Sequence, residues 1–209
     1  MKLQIALDRM PAATALDVAA AVAPHVDWIE VGTSMIKREG AAYLTAVADA
    51  AGDTPVLADL KTADDARWEL TMAYDAGARS ATVLGLAPAT TIDTAVQVAR
   101  ERGRELVVDL MGLDAAARAA LADRLPSDVV LAAHVSKDAQ GDGGSPLAQL
   151  GPWADGRRIA VAGGLGVADM PVLAGTDIRV IVGSAVTSSP DPLAAVRALR
   201  AAAGAEALR

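Results

Sequence analysis

A carboxylate and an ammonium two residues apart can hold each other charged, and Asp59-Leu60-Lys61-Thr62-Ala63-Asp64 adds a further carboxylate three residues on. At strand spacing residues 59 and 61 share a face, so Lys61 is expected beside Asp59, fixed and charged. Such an ammonium suits a reaction whose intermediate develops negative charge on oxygen or carbon. Other ionisable side chains close or interrupt apolar runs. Asp8 follows residues 3–7, Glu30 lies within 28–31, Asp109 follows 106–108, and His134 follows 129–132. Groups of this kind beside buried runs are costly unless they pair or bind something. Singly, each has a plainer reading. Asp8 and Asp109 could cap the loops that follow, Asp64 could be an N-cap, His134 a hydrogen-bonded structural residue, and Lys61 a surface lysine. Two later apolar runs instead end in small residues, Gly163-Gly164 and Gly183-Ser184. There, backbone N–H groups could grip a phosphate without any basic patch.

Whether these residues meet depends on the elements that carry them. Runs rich in β-branched and aliphatic residues recur at 3–7, 28–31, 56–58, 81–84, 106–108, 129–132, 159–162 and 180–182. Most are continuously apolar, the mark of strands covered on both faces. Between them lie Ala-rich segments with helical spacing, among them 12–23, 40–51, 65–76 and 91–102, with Gly77 and Gly103 placed as left-handed caps. Strand then helix, eight times over, predicts parallel strands and crossovers, closed into one compact α/β domain, a (β/α)8 TIM barrel over residues 1–209. An open doubly wound sheet would carry Gly-x-Gly-x-x-Gly after its first strand, where this chain has Asp8-Arg9-Met10-Pro11. In a barrel the chemistry sits at the C-terminal strand ends. That gathers Asp8, Glu30, Asp59, Lys61, Asp109 and His134 on one face, and puts the two glycine turns at the position where such barrels hold phosphate. The glycine-rich loop 138–145 is expected to fold over a ligand, and the last helix to run from Pro192 and fray near Gly204.

Composition narrows the field. Hydrophobic residues make up 53% of the chain and aromatics 2%, so the core is built from Ala, Val, Leu and Ile. Cysteine is absent, which removes disulfides, thiolate metal sites and thiol nucleophiles. A net charge of −7 opposes approach to nucleic acid or an anionic membrane. The longest uncharged stretch, 80–92, is too short to span a bilayer. A soluble, cytoplasmic protein is expected.

The strings Leu3-Gln4-Ile5-Ala6-Leu7-Asp8, Asp27-Trp28-Ile29-Glu30-Val31-Gly32-Thr33 and Ala58-Asp59-Leu60-Lys61-Thr62-Ala63-Asp64 resemble the orotidine-monophosphate-decarboxylase suprafamily. The similarity is greatest to the branch of 3-hexulose-6-phosphate synthase and 3-keto-L-gulonate-6-phosphate decarboxylase. It continues through Val107-Val108-Asp109-Leu110, His134-Val135-Ser136-Lys137-Asp138-Ala139-Gln140, Val161-Ala162-Gly163-Gly164 and Ile181-Val182-Gly183-Ser184. The resemblance implies a homodimer with active sites at the interface, a phosphorylated ketose as substrate, and Mg²⁺ near Glu30 and Asp59. It implies that Lys61 stabilises a cis-enediolate, that Asp64 reaches the partner's site, and that Asp8, Asp109 and His134 contact sugar hydroxyls or shuttle protons. Gly163, Gly164, Gly183 and Ser184 would hold the phosphate. Asp109, Ala162 and Ser184 fit the synthase pattern. The run 135–140 looks more like the decarboxylase, with Lys137 standing where that enzyme has an arginine. The expectation is an aldol lyase joining formaldehyde to D-ribulose 5-phosphate, with decarboxylation as the alternative. A sugar-phosphate-binding barrel without catalysis is the alternative from another class.

Overall fold

The computed structural model describes residues 1–204, and the backbone alone of residue 142. The expected domain's last five residues lie outside that range. Eight strands, β1 (Lys2–Leu7), β2 (Trp28–Val31), β3 (Val56–Thr62), β4 (Ser80–Leu84), β5 (Glu105–Asp109), β6 (Val130–His134), β7 (Arg158–Ala162) and β8 (Arg179–Val182), close in chain order into a barrel. All neighbours are parallel, and β8 returns to pair with β1. The barrel expected from the sequence is the barrel observed. Around it pack α1 (Ala12–Val22), α2 (Thr33–Glu39), α3 (Ala41–Ala51), α4 (Ala66–Asp75), α5 (Ala89–Glu101), α6 (Ala115–Arg124), α7 (Met170–Leu173), α8 (Ser184–Thr187) and α9 (Pro192–Ala202). No helix among the described residues is long and apolar enough to cross a membrane.

The repeat is less regular than strand-then-helix. Unit two carries two helices, because Gly40 turns the chain at φ +78° between α2 and α3. Unit six carries only short 3₁₀ turns at Lys137–Asp142, Leu147–Gln149 and Pro152–Ala154. There Gly141, Gly143, Gly144, Pro146 and Pro152 interrupt any helical run.

Small aliphatics fill the barrel: Leu57, Val107, Val130, Ala132 and Ala160 form one buried cluster, flanked by Trp28 and Ile181. The larger core lies between the strands' outer faces and the helices. The first residues of four strands close the bottom. Arg179 holds both oxygens of Glu105 across the ring, at 2.8 and 2.9 Å, and its guanidinium lies 4.2 Å over the Trp28 ring. Arg158 reaches the same carboxylate at 2.5 Å. The Arg179–Glu105 pair is nearly inaccessible, with side chains 4% and 11% exposed. Burial opposes the charge on Glu105, yet the bonds and charge of Arg179, helped by Arg158, hold its pKa below the ordinary glutamate value.

Candidate active site

At the opposite end, the C-terminal strand ends surround a cavity of about 790 Å³. Asp8, Glu30, Asp59, Lys61, Asp109, His134, Lys137, Gly163, Gly164, Gly183 and Ser184 all line it. Asp64 does not. It is exposed beyond the rim, where its carboxylate accepts the Asp65 backbone N–H. Nor is Asp64 the N-cap of α4: that position is Asp65, in left-handed conformation and without a side-chain cap bond.

The central feature is a charged chain across the cavity floor. Lys61 Nζ donates to Asp59 at 2.7 and 3.0 Å and to Asp109 Oδ2 at 3.0 Å, and His134 Nδ1 lies 2.8 Å from that same Asp109 oxygen. The pairing of residues 59 and 61 expected from strand alternation is observed, on a backbone that departs from a regular strand. Register between β3 and β4 slips between Ala58 and Thr62, and Lys61 has φ +49°. A non-glycine residue there is strained, and the Lys61 side chain lines the cavity with Leu57 and Asp59. Thr82 stabilises the arrangement twice, donating to Asp59 Oδ1 and accepting the Lys61 N–H, each at 2.8 Å. Thr33 donates to the other Asp59 oxygen at 2.8 Å. The Met111 N–H completes Asp109 at 2.9 Å.

These contacts set the electrostatics. Burial works against the Lys61 ammonium, but the charges of Asp59 and Asp109 outweigh it and lift its pKa above the ordinary lysine range. Burial also opposes the Asp109 carboxylate, yet its bond to His134, the charge there and Lys61 bring it down to about 2. Glu30 is pushed up to about 8, first by burial and then by the charge of Asp59.

Glu30, Asp59 and Asp109 thus crowd around one lysine, and a divalent cation beside Glu30 would favour its charged form. Among the described residues no group of three or more metal-binding side chains converges. Two buried carboxylates, Glu30 and Asp59, nonetheless fit Mg²⁺, which keeps several waters and takes one or two carboxylates with substrate oxygens. The residues present fit the ion.

Across the ring, the β7 and β8 turns form the other wall. Gly163 adopts φ +114°, and a Cβ there would fall on the Val135 carbonyl, so only glycine fits. The 3₁₀ turn after β6 lies against this wall: Lys137 bonds Gln140 at 3.1 Å, and a Cβ on Gly164 would meet the Gln140 side chain at 3.6 Å. Gly32 is constrained by contact alone, because a Cβ there would meet Asp8 Cγ at 2.7 Å. That proximity lets Ser34 hold the Asp8 carboxylate. Sequence reasoning passed over Thr33, Ser34, Thr82, Gln140 and Gln4. Thr82 did carry a signal, since Ser80 and Thr82 are polar at period two within a strand otherwise apolar.

A family model described as orotidine 5'-phosphate decarboxylase / HUMPS family matches residues 1–199. The chain is 39% identical over 206 residues to the 3-hexulose-6-phosphate synthase of Mycobacterium gastri, covering 97% of this chain and 99% of that one. The crystal structure of 3-hexulose-6-phosphate synthase from Salmonella typhimurium superposes with a TM-score of 0.89 at 35% identity, covering 97% and 98% of the two chains. KGPDC from Streptococcus mutans superposes at 0.87 with 26% identity, covering 97% of each chain.

Proposed function

The chain belongs to the orotidine 5'-phosphate decarboxylase / HUMPS family and is a carbon–carbon lyase; within that frame we propose that it joins formaldehyde to D-ribulose 5-phosphate to give 3-hexulose 6-phosphate. The observation that carries this reading is the ammonium of Lys61, fixed between Asp59 and Asp109 and facing a glycine wall suited to phosphate, in a chain 39% identical to a 3-hexulose-6-phosphate synthase.

Each wall of the cavity has its task. The backbone of Gly163, Gly164, Gly183 and Ser184 holds the phosphate, and Arg9, Lys37 and Lys137 on the lining offset the acidity of the protein around an anionic substrate. Mg²⁺ held by Glu30 and Asp59 would supply Lewis-acid stabilisation of negative oxygen. Removal of the C1 proton of the ketose leaves a cis-enediolate, and Lys61 stabilises the charge on its oxygens. C1 then attacks the carbon of formaldehyde, a carbon–carbon bond forms, and the resulting alkoxide takes up a proton. Asp109 fixes His134 through Nδ1 and leaves Nε2 to exchange protons with the substrate. Asp8, steadied by Ser34, contacts a sugar hydroxyl.

Supplying D-ribulose 5-phosphate and formaldehyde with Mg²⁺ should consume formaldehyde in proportion to ketose. Lys137 on the cavity lining favours a second reading, decarboxylation of 3-keto-L-gulonate 6-phosphate through the same type of intermediate. Release of CO₂ from that substrate, with formaldehyde left untouched, would replace the first reading by the second. Neither activity would sink both.

The working unit is a homodimer in which Asp64 completes the partner's site. Support comes from the exposure of Asp64 outside its own cavity, and from Trp68 and Leu86, 72% and 59% exposed, in the segments that follow β3 and β4. Lys61→Ala and Asp64→Ala should each be inactive alone, while mixed subunits should regain activity, because one hybrid site then holds both native residues. Mixtures no more active than their components would overturn the shared site.

A further inference from the structure

Among the described residues, Gln4 is the one amide in the barrel's aliphatic interior. It lies on β1 in register with Trp28 and Ile181, and it is completely buried. Its register neighbours Trp28 and Ile181 pack against the aliphatic cluster of the barrel interior. Its Nε2 donates to Glu30 Oε2 at 2.5 Å, while its Oε1 is buried with no partner among the described residues. An orphaned amide oxygen in an apolar layer is a standing cost to the fold, and an aliphatic side chain of the same size would remove it.

The bonds to the three buried carboxylates suggest what that cost secures. Asp59 is held by Lys61, Thr33 and Thr82, and Asp109 by Lys61, His134 and the Met111 N–H. Among the described residues Glu30 receives one bond, from Gln4. Without it, a carboxylate repelled by Asp59 and attracted by Lys61 has no fixed orientation.

We propose that Gln4 is a positioning residue for Glu30: its amide tethers Oε2 and leaves Oε1 directed to a divalent cation. The inference rests on the reading of Glu30 and Asp59 as cation ligands. Partners that orient a ligating carboxylate typically contribute about 10–100-fold to metal affinity.

The test is Mg²⁺ titration by calorimetry of the intact protein, beside urea unfolding, for wild type, Gln4→Met and Glu30→Gln. Gln4→Met keeps the volume and removes the amide. Its Mg²⁺ affinity should fall about 10–100-fold while its unfolding midpoint changes little, the removal of the orphaned amide oxygen offsetting the bond lost by Glu30. Affinity within about threefold of wild type in Gln4→Met, with binding lost in Glu30→Gln, would overturn the role of Gln4 and leave the ligand reading standing. Binding unaffected by Glu30→Gln would overturn the ligand reading, and the role of Gln4 with it. Should Gln4→Met fail to fold, Gln4→Leu is the second variant. Failure of both would make Gln4 a structural residue and end the proposal.

Discussion

Lys61→Ala should lower turnover about 10³-fold, near the upper end of what removal of one preorganised electrostatic donor costs. Among the described residues the lysine is the sole cation in hydrogen-bond contact with Asp59 and the only fixed charge bridging it to Asp109, so no neighbour can take over its task. The alanine variant also leaves two buried carboxylates facing each other, and part of the loss could come from a disordered floor. Lys61→Gln separates the two contributions. Glutamine can still donate to a carboxylate but carries no charge, so near-native unfolding in urea with turnover as low as the alanine variant would assign the loss to the missing ammonium. A glutamine variant within about tenfold of wild type would make Lys61 a clamp for Asp59 and Asp109 rather than a participant in the chemistry. Because its pKa lies above the ordinary lysine range, the ammonium persists throughout neutral and mildly alkaline pH, and turnover there should not fall through its deprotonation.

Breaking the ion pair at the barrel bottom should produce the largest loss of stability. Arg179→Met takes from Glu105 its two-pronged partner and leaves it only the half-exposed Arg158. Removing one member of a buried pair typically costs about 3–5 kcal/mol, and the Arg158 contact that remains sets the expected loss at the lower end, about 3 kcal/mol. Adding Glu105→Gln to that variant removes the charge that Arg158 alone would have to balance, so the double variant should recover much of the loss in urea unfolding. A cost below about 1 kcal/mol for Arg179→Met would place the pair among weak surface bridges. Acid unfolding offers a second handle. The folded-state pKa of Glu105 is depressed, so the unfolded chain takes up the proton at higher pH than the native one. The contribution is complete above the ordinary glutamate value near about 4.3 and disappears as pH falls through the lowered one. Below about pH 4.3, wild type should lose stability more steeply than Glu105→Gln.

The barrel was legible because its strands are buried on both faces and therefore read as unbroken apolar runs. For the same reason the ionisable residues at their ends stood out, and nearly all of them do line one cavity. What escaped was geometry without a compositional trace. The β3 register slip and the positive φ of Lys61 follow from no residue type in 56–62. The loss of the helix in unit six was written in Gly141, Gly143, Gly144, Pro146 and Pro152, but the repeat of the other units masked it. Gln4, Thr33 and Thr82 are neutral residues whose importance lies in which carboxylate they hold, and those carboxylates lie 26, 26 and 23 positions away. The bottom pair joins residues 74 positions apart, beyond any local pattern.

That same pair bears on how the protein is made. Ribosomes deliver the chain from its N-terminus, so Glu105 is synthesised long before Arg179, and β1 waits for β8 to close the ring. Until β8 emerges, the strands before it can associate only as an open sheet with two free edges and an acid lacking its main counter-ion. Such a nascent species invites edge-to-edge pairing and chaperone capture. Completion of the ring then removes both edges and engages the counter-ion in one late event, which ties the quality of the finished barrel to the arrival of its last strand.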